Sequence, residues 1–457
     1  MKSNIQLYDL LPIFMQNIAV TLKGYQIKQQ RYGGKFQKYT KELNRSQWYS
    51  NNKLKEIQLN RLKKIIEHSY KYVPYYRNLF IELGLVPEDI TSINDLKKIP
   101  ITNKTAVKHF HSKFIAQNIP KKKLIQHRTG GTTGTSLTMY VTSDSLRYNF
   151  AFLEERCKRW SGVRSGDKLA TFLGRQIVPT KQKKPPFWRF NRAYNQILFS
   201  SYHMNDKNLK FYIDEYNHFK PKIIQGYVSN IYIFAKFILA HNLTVHSPTS
   251  ILLSSETLFD WQRKIIEEAF QAKIYNGYSM AEFVAFISEC EKGNLHVSTE
   301  YGIIEFDKII GFDDKYEIIA TTLFNYAMPL IRYKTGDIVT FSKNNRCSCG
   351  RMLPIINSIE GRKDNMLITP EGNYISSASM SLIFKNFDYI EEAQIVQYDK
   401  LKITVNIVLI KNIDTNFERL ILELKKILGS KMEIVIRTTD KLERTVAGKY
   451  QFIISKV

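Results

Sequence analysis

A loop rich in glycine and threonine is the segment of this sequence whose residue types point most directly to chemistry. It combines three glycines with several hydroxyl side chains. Glycine lets the backbone turn tightly, so that several N–H groups can face one anion, and the hydroxyls add further donors. The same composition also occurs in ordinary flexible turns, and no Gly-Lys-Ser/Thr follows as in a Walker A loop. The residues predicted to hold a polyphosphate are Thr129, Gly130, Gly131, Thr132, Thr133, Gly134 and Thr135, followed by Ser136.

Five further motifs follow this loop in a fixed order. A lone Thr-Gly-Asp is usually a turn and a lone late lysine is usually solvated, so each motif has little meaning by itself. Their common order along the chain is what makes them informative. The motifs are Ser254-Ser255-Glu256, Tyr275-Asn276-Gly277-Tyr278-Ser279-Met280-Ala281-Glu282, Arg332-Tyr333-Lys334-Thr335-Gly336-Asp337, Gly361-Arg362-Lys363-Asp364-Asn365 and Arg444-Thr445-Val446-Ala447-Gly448-Lys449.

In this order the motifs resemble those of the adenylate-forming superfamily of acyl-CoA ligases and adenylation domains. The chain is most similar to the phenylacetate-CoA ligase-like branch found in capsular polysaccharide biosynthesis, and the segments Arg31 to Gly34 and Val73 to Arg77 resemble that branch as well. The resemblance covers nearly the whole chain. It implies an AMP-forming ligase that converts ATP and a small-molecule carboxylate into an acyl-adenylate. The acceptor of the acyl group would be CoA, a carrier protein or the amino group of a sugar.

The resemblance also implies roles for individual residues. Lys449 and Thr132 would contact the phosphates during adenylation, and Glu282 would offer a hard oxygen ligand to Mg²⁺. Tyr278 offers a flat face for adenine, and Asp337 can accept two hydrogen bonds from ribose hydroxyls. The other predicted nucleotide contacts are Ser255, Glu256, Asn276, Gly277, Ser279 and Arg362.

Three positions depart from the pattern of the superfamily. Leu137 follows the phosphate loop where a lysine is often found, Ser279 stands in place of a glycine, and Asn365 replaces a second acidic residue after the hinge. Asp364 falls at the hinge position, about which the small domain would turn between the two half-reactions. The motifs therefore predict the fold more directly than they predict catalytic activity.

Residues between the phosphate loop and the adenine motif are where the family builds its acyl pocket. His203 and Tyr227 are the predicted wall residues of this pocket. The alternative is a satisfied core histidine and a packed tyrosine, which are common in protein interiors.

The four cysteines are too few and too scattered for a disulfide scaffold in a chain of this length. Cys347 and Cys349 form a tight pair, and Cys290 and His296 lie six residues apart. Together they make a Cys₃His set suited to a structural, tetrahedral Zn²⁺ with no position left for water. The alternative is that the cysteines are reduced surface residues and that His296 only caps a strand.

The elements that position these motifs change in character along the chain. Residues 1–100 are predicted to be helical, and residues 101–361 alternate short apolar strands with helices, such as a strand at 222–226 and a helix at 229–241. Beyond residue 361, a strand at 401–409, a helix at 417–428 and a strand at 432–436 predict a small α+β domain. The prediction is an α/β protein with a large multi-subdomain N-terminal domain (1–361) of helix-covered sheets, a hinge near 362–365, and a small mobile C-terminal domain (362–457). This is the adenylate-forming enzyme fold.

The chain of 457 residues carries 67 Lys and Arg against 42 Asp and Glu, a formal net charge of +25. The basic residues are dispersed and no RNA-binding signature is present, so a Lys-rich solvated surface is favoured and no nucleic acid partner is expected. No spanning apolar segment and no convincing signal peptide are found, so a cytoplasmic location is predicted. An interfacial helix in residues 5–23 is a hypothesis for peripheral contact with an anionic membrane at the inner face. A catalytically inactive nucleotide-binding scaffold in an envelope-assembly complex is the alternative function.

Overall fold

The computed structural model describes residues 7–128, 137–174, 176–310, 312–341, 346–362, 367–370, 374–375, 380, 383–384, 386–387, 389–409, 416–444, 450–455 and 457. Three predicted functional elements lie outside the described residues. They are the phosphate loop 129–136, the hinge residue Asp364 and Lys449.

Helices dominate the N-terminal part of the chain. The helix Asn51–Tyr72 begins after Ser50, whose hydroxyl accepts a hydrogen bond from the N–H of Lys53. It ends before Pro74, which cannot extend it. The helix Ser143–Phe152 continues directly into a π-helical turn, Leu153–Lys158. The helices are α1 Ile13–Tyr32, α2 Phe36–Ser46, α3 Asn51–Tyr72, α4 Pro74–Glu82, α5 Lys104–His109, α6 Ser143–Phe152, α7 Asp206–Phe219, α8 Val228–Ala240, α9 Asp260–Phe270 and α10 Glu418–Leu428.

The strands of the described residues form five sheets, with two, nine, four, two and four strands. The strands are β1 Ile125–Arg128, β2 Thr138–Val141, β3 Leu169–Leu173, β4 Trp188–Asn191, β5 Gln196–Ser200, β6 Ile223–Gly226, β7 Ser250–Ser254, β8 Ile274–Ser279, β9 Phe286–Glu289, β10 Leu295–Val297, β11 Gly302–Lys308, β12 Lys315–Thr322, β13 Tyr333–Thr340, β14 Ile355–Ile356, β15 Ser358–Arg362, β16 Leu367–Ile368, β17 Tyr374–Ile375, β18 Ile390–Asp399, β19 Lys402–Leu409, β20 Glu433–Thr438 and β21 Ile453–Ser455.

The largest sheet has the strand order β14-β10-β9-β8-β7-β6-β3-β5-β4 in the described part of the chain. Its central strands, β5, β3, β6, β7 and β8, pair in parallel. The strands at its two ends, β4 on one side and β9, β10 and β14 on the other, pair antiparallel with their neighbours. Helices α7, α8 and α9 cover one face through a core that includes Tyr212, Phe234 and Phe270. β8 is therefore the strand at which the sheet changes from parallel to antiparallel pairing.

A second sheet, β11-β12-β13-β15, packs against the N-terminal helices. Ile65 and Ile66 of α3 and Tyr76 of α4 share one apolar core with residues of β11, β12 and β13. The Tyr76 hydroxyl accepts a hydrogen bond from the N–H of Ile331 over 2.8 Å. The N-terminal helices thus support the sheet that carries the Thr-Gly-Asp motif.

The C-terminal part contains the sheet β20-β19-β18-β21, with α10 packed on it through Leu420, Leu424 and Leu428. The predicted strands and helix in this part, and the predicted strand and helix at β6 and α8, are confirmed within one or two residues. None of the described helices combines the length and the apolar character that crossing a membrane requires.

Candidate active site

Tyr278 and Asp337, both predicted to contact a nucleotide, meet where two sheets adjoin. Tyr278 lies on β8 of the nine-stranded sheet and Asp337 lies on β13 of the four-stranded sheet. The Tyr278 hydroxyl donates a hydrogen bond to Oδ2 of Asp337 over 2.7 Å. Burial, followed by the charge of Asp337, raises the pKa of Tyr278 well above its usual value. The tyrosine therefore stays protonated as the donor, and the aspartate is the acceptor.

The backbone at Asp337 is shaped by the two residues before it. Gly336 has a φ of +78°, in the left-handed region that a side chain makes costly. The Asp337 N–H donates to Oγ1 of Thr335 over 3.1 Å, and the Thr335 hydroxyl donates to the Ile318 carbonyl over 2.9 Å. Arg362 is the ladder partner of Asp337 in β15, and its side chain lies outside the described part of the chain.

Glu282, the predicted Mg²⁺ ligand, lies in the turn that follows β8 and is buried. The Phe283 N–H closes this turn with a hydrogen bond to the Met280 carbonyl over 3.1 Å. After burial itself, the charge of Glu282 is among the causes that raise the pKa of Tyr278 and of Tyr301. The Glu282 carboxylate consequently belongs to the same electrostatic environment as the Tyr278–Asp337 pair.

Glu256 connects the large sheet with the C-terminal part of the chain. It follows Ser255, whose φ of +73° turns the chain sharply at the end of β7. The Glu256 carboxylate accepts hydrogen bonds from the N–H of Ser229 over 2.8 Å and from the N–H of Tyr450 over 3.1 Å. Burial raises the pKa of Glu256, whereas these donors lower it and the rise prevails. Tyr450, the residue immediately after Lys449, is thereby joined to the chain segment that follows β7.

The predicted phosphate loop is flanked by the two strands of an antiparallel pair. Arg128 at the end of β1 is the ladder partner of Thr138 at the start of β2. Leu137, the departure from the pattern of the superfamily noted above, is buried in the core shared with α3 and α4. Leu137 therefore anchors the chain in the apolar interior immediately before β2.

A cavity of about 750 Å³ lies between the nine-stranded sheet and helix α1. Tyr278 and Ser279 line one side of it, so the cavity adjoins the predicted nucleotide contacts. Gly24 of α1 also lines it, and a Cβ at this position would stand 2.2 Å from Oδ1 of Asn191. A side chain at position 24 would therefore force Asn191 to move. Burial raises the pKa of the lining thiol of Cys157 to about 12, which keeps it neutral.

The four predicted metal ligands come together at the far end of the nine-stranded sheet. The ligand atoms of Cys290, His296, Cys347 and Cys349 all lie within 4.8 Å of one another. The Sγ atoms of Cys290 and Cys347 are 3.7 Å apart, too far for a disulfide bond, and Sγ of Cys349 is 3.4 Å from Nε2 of His296. This arrangement has the donor set and the compactness of a closed tetrahedral zinc site.

The surroundings of the cluster favour the metal-ligating forms of His296 and Cys347, but not the thiolate of Cys290. The carbonyl of Leu353 accepts a hydrogen bond from Nδ1 of His296 over 3.1 Å, which leaves Nε2 as the ligand atom. Burial lowers the pKa of His296 and raises the pKa of Cys290. Burial also raises the pKa of Cys347, but hydrogen bonds led by the one from the N–H of Cys349 outweigh it and lower that pKa. Occupancy by zinc remains a prediction.

Comparison with known proteins identifies the family. Protein CapK of Staphylococcus aureus is 32% identical over 456 residues, which cover 99% of this chain and 99% of that protein. The chain belongs to the CapK family. The CapK C-terminal domain also matches as a family of its own, over residues 367–456.

Two comparisons place the CapK-family chain within the adenylate-forming superfamily. The phenylacetate-coenzyme A ligase of Thermus thermophilus is 28% identical over 346 residues, covering 69% of this chain and 72% of that protein. The crystal structure of a 2-hydroxyisobutyryl-CoA ligase in the postadenylation state superimposes with a TM-score of 0.68 at 17% identity, covering 90% of this chain and 91% of that one. The predicted α/β adenylate-forming fold is thus confirmed for this CapK-family chain.

The predicted wall residues of the acyl pocket do not line this cavity. Neither His203 nor Tyr227 is among the described residues that line the cavity. His203 is buried, stacks on Phe187 with ring centroids 5.1 Å apart, and shares a 2.8 Å hydrogen bond between Nδ1 and the Ser200 hydroxyl. Tyr227 precedes α8 as its N-cap residue. His203 therefore packs as a core histidine, with Nδ1 hydrogen-bonded and Nε2 without a partner among the described residues.

The sequence interpretation missed α1 as a wall of the cavity in this CapK-family chain. The lining residues of α1 recur at helical spacing, on the face that turns toward β4. This spacing was a usable signal, although apolar residues on the opposite face of α1 obscure it. The lining residues of α1 are Ala19, Val20, Lys23, Gly24, Ile27, Arg31 and Tyr32.

Proposed function

We propose that this CapK-family chain is an ATP-dependent, AMP-forming ligase. A carboxylate oxygen of the acid attacks the α-phosphorus of ATP, the bond to the bridging oxygen of pyrophosphate breaks, and an acyl-adenylate remains. The acceptor then attacks the acyl carbon, and AMP leaves. The observation that carries the proposal is the Tyr278–Asp337 pair, which adjoins a cavity of about 750 Å³ in an adenylate-forming fold.

The residues at the sheet junction fit a nucleotide. Tyr278 would stack on adenine, and Asp337, oriented by the Tyr278 hydroxyl, would accept hydrogen bonds from the ribose hydroxyls. Glu282 would hold Mg²⁺, whose positive charge offsets the charge that builds up on the phosphates. Orientation and charge stabilisation of this kind account for most of the catalysis in such substitutions.

The cavity supports a bulky, largely apolar carboxylic acid. Its volume of about 750 Å³ is several times the roughly 150 Å³ that suffices for benzene. Leu153, Leu198 and Phe199 line it, together with the basic residues Lys23 and Lys158, which can offset the charge of an incoming carboxylate. We assign CoA as the acceptor because a relative is a phenylacetate-coenzyme A ligase. A carrier protein or an amino sugar, as in capsule biosynthesis, is the alternative acceptor.

Pyrophosphate release from Mg-ATP tests the proposal. The chain is incubated with acetate, hexanoate, benzoate, phenylacetate and amino acids, each with and without CoA. We expect release with one bulky apolar acid and little release with acetate, since a small acid leaves most of the cavity unfilled. ATP binding without release from any acid would instead favour the inactive nucleotide-binding scaffold.

Asp337→Asn is expected to weaken ATP binding about ten- to a hundredfold, since a hydrogen bond to a charged group contributes about 1.5–3 kcal/mol. Tyr278→Phe, which removes only the hydroxyl that orients Asp337, should weaken it less. Asp314→Asn, at an exposed position, serves as the matched control. Titration calorimetry with ATP measures all three dissociation constants, and equal affinity of Asp337→Asn and the wild type would refute the assigned ribose contact.

A further inference from the structure

The outward face of helix α1 and the segment that precedes it carry an apolar stripe that no described residue covers. Its six large side chains are each more than half exposed to solvent. From residue 14 onward they recur at spacings of four, four and three residues, so they line one side of the helix. We call this surface the α1 stripe; its members are Leu7, Leu10, Phe14, Ile18, Leu22 and Tyr25.

The opposite face of α1 is fixed to strand β4 by polar contacts along its length. Gln16 accepts a hydrogen bond from Nε of Arg189 over 2.7 Å, and Asn17 accepts one from the N–H of Phe190 over 2.9 Å. Farther along, Nζ of Lys28 donates to the Ala193 carbonyl over 2.9 Å. The helix therefore cannot rotate to bury its stripe against the rest of the chain without breaking these bonds.

The charges around the α1 stripe are predominantly positive, and Asp9, between Leu7 and Leu10, is the acidic exception. The sequence contains no acidic residue from Leu10 to Lys41 or from Gln176 to Asn205. The second of these segments includes exposed Lys181, Lys183 and Lys184. It is joined to the residues that precede α1 by a hydrogen bond from the Tyr8 hydroxyl to the Ile177 carbonyl over 2.7 Å. An apolar stripe with a basic border is complementary to an anionic lipid surface.

We propose that the α1 stripe docks this chain on an anionic lipid bilayer. The apolar side chains enter the boundary between headgroups and acyl chains, and the lysines of the adjoining loop contact lipid phosphates. This surface is separate from the residues assigned to the nucleotide and does not depend on the ligase reaction. Because the inner face of the same helix lines the cavity, docking brings the cavity beside the membrane.

Co-sedimentation of the full-length chain with lipid vesicles tests the docking. We expect binding to vesicles of phosphatidylglycerol and phosphatidylcholine, little binding to phosphatidylcholine alone, and marked weakening at about 0.5 M salt. The triple variant Phe14→Ser, Ile18→Ser, Leu22→Ser should bind about tenfold more weakly or worse. The matched control changes equally exposed apolar residues elsewhere, as Ile81→Ser, Ile310→Ser, Leu422→Ser, and should bind like the wild type.

A second variant tests the basic border independently of the apolar stripe. Lys181→Gln, Lys183→Gln, Lys184→Gln should bind anionic vesicles severalfold more weakly, whereas Lys121→Gln, Lys122→Gln, Lys123→Gln should not. Absence of binding by the wild type, or equal loss in a test variant and its control, would overturn the proposal. So would a wild-type dimer that dissociates in the Phe14→Ser, Ile18→Ser, Leu22→Ser variant, because a second copy would then be the occupant of the stripe.

Discussion

Lys449→Ala is expected to lower the rate of adenylate formation by about 10² to 10³, with little change in ATP affinity. The loss follows from removing a positive charge that stabilises the transition state rather than the bound nucleotide. Lys449 lies outside the described residues, but its neighbour Tyr450 donates its N–H to buried Glu256 over 3.1 Å. This contact ties Tyr450, the residue after Lys449, to the chain segment that follows β7. Pyrophosphate release measures the rate, and a thermal shift with ATP reports binding.

Two comparisons make this experiment specific. Lys441→Ala removes an exposed lysine from the same part of the chain and should leave the rate near that of the wild type. If acyl-adenylate is supplied ready-made, Lys449→Ala should still transfer the acyl group to the acceptor, because that step forms no new bond to phosphorus. A wild-type rate of pyrophosphate release in Lys449→Ala would contradict the assigned role.

Chain purified without chelator is expected to contain about one zinc per molecule, bound by Cys290, His296, Cys347 and Cys349. The double variant Cys347→Ser, Cys349→Ser should lose the metal. Free zinc at about a thousandfold above its dissociation constant stabilises a fold by about 4 kcal/mol, so the loss should lower the melting temperature measurably. Elemental analysis and differential scanning calorimetry give the two readouts.

The fourth cysteine provides the control for this experiment. Cys157 lies at the cavity, and Cys157→Ser should retain the metal. Two results together would contradict the zinc site. The wild-type chain would be fully folded without metal, and the Cys347→Ser, Cys349→Ser variant would have the same melting temperature as the wild type.

The elements that sequence predicted well are those whose apolar pattern has a single interpretation. Strand β19 alternates buried and half-buried residues, and α10 buries Leu420, Leu424 and Leu428 on one face. Each has one core to face, so periodicity determines which side is buried. The cysteine and histidine spacing likewise predicted a cluster, because thiolate and imidazole ligands are chemically distinctive.

The cavity could not be predicted in the same way. Helix α1 carries apolar residues on both sides, and sequence alone does not reveal that Val20 and Ile27 face the cavity whereas Phe14 and Ile18 face solvent. The position of His203 outside the cavity lining has a different reason. Its Nδ1 partner is Ser200, only three residues away, and such a short local hydrogen bond leaves no pattern that periodicity detects.

The Tyr278–Asp337 pair also constrains how this protein could be recombined with its relatives. Tyr278 and Asp337 are 59 residues apart and belong to different sheets, yet one hydrogen bond joins them. A chimera with a crossover between β8 and β13 would take the tyrosine and the aspartate from two different proteins. The two sheets that carry them would then have no shared evolutionary history of packing together. Functional exchanges should therefore transfer residues 274–340 as one block, and crossover points are better placed in the connections on either side.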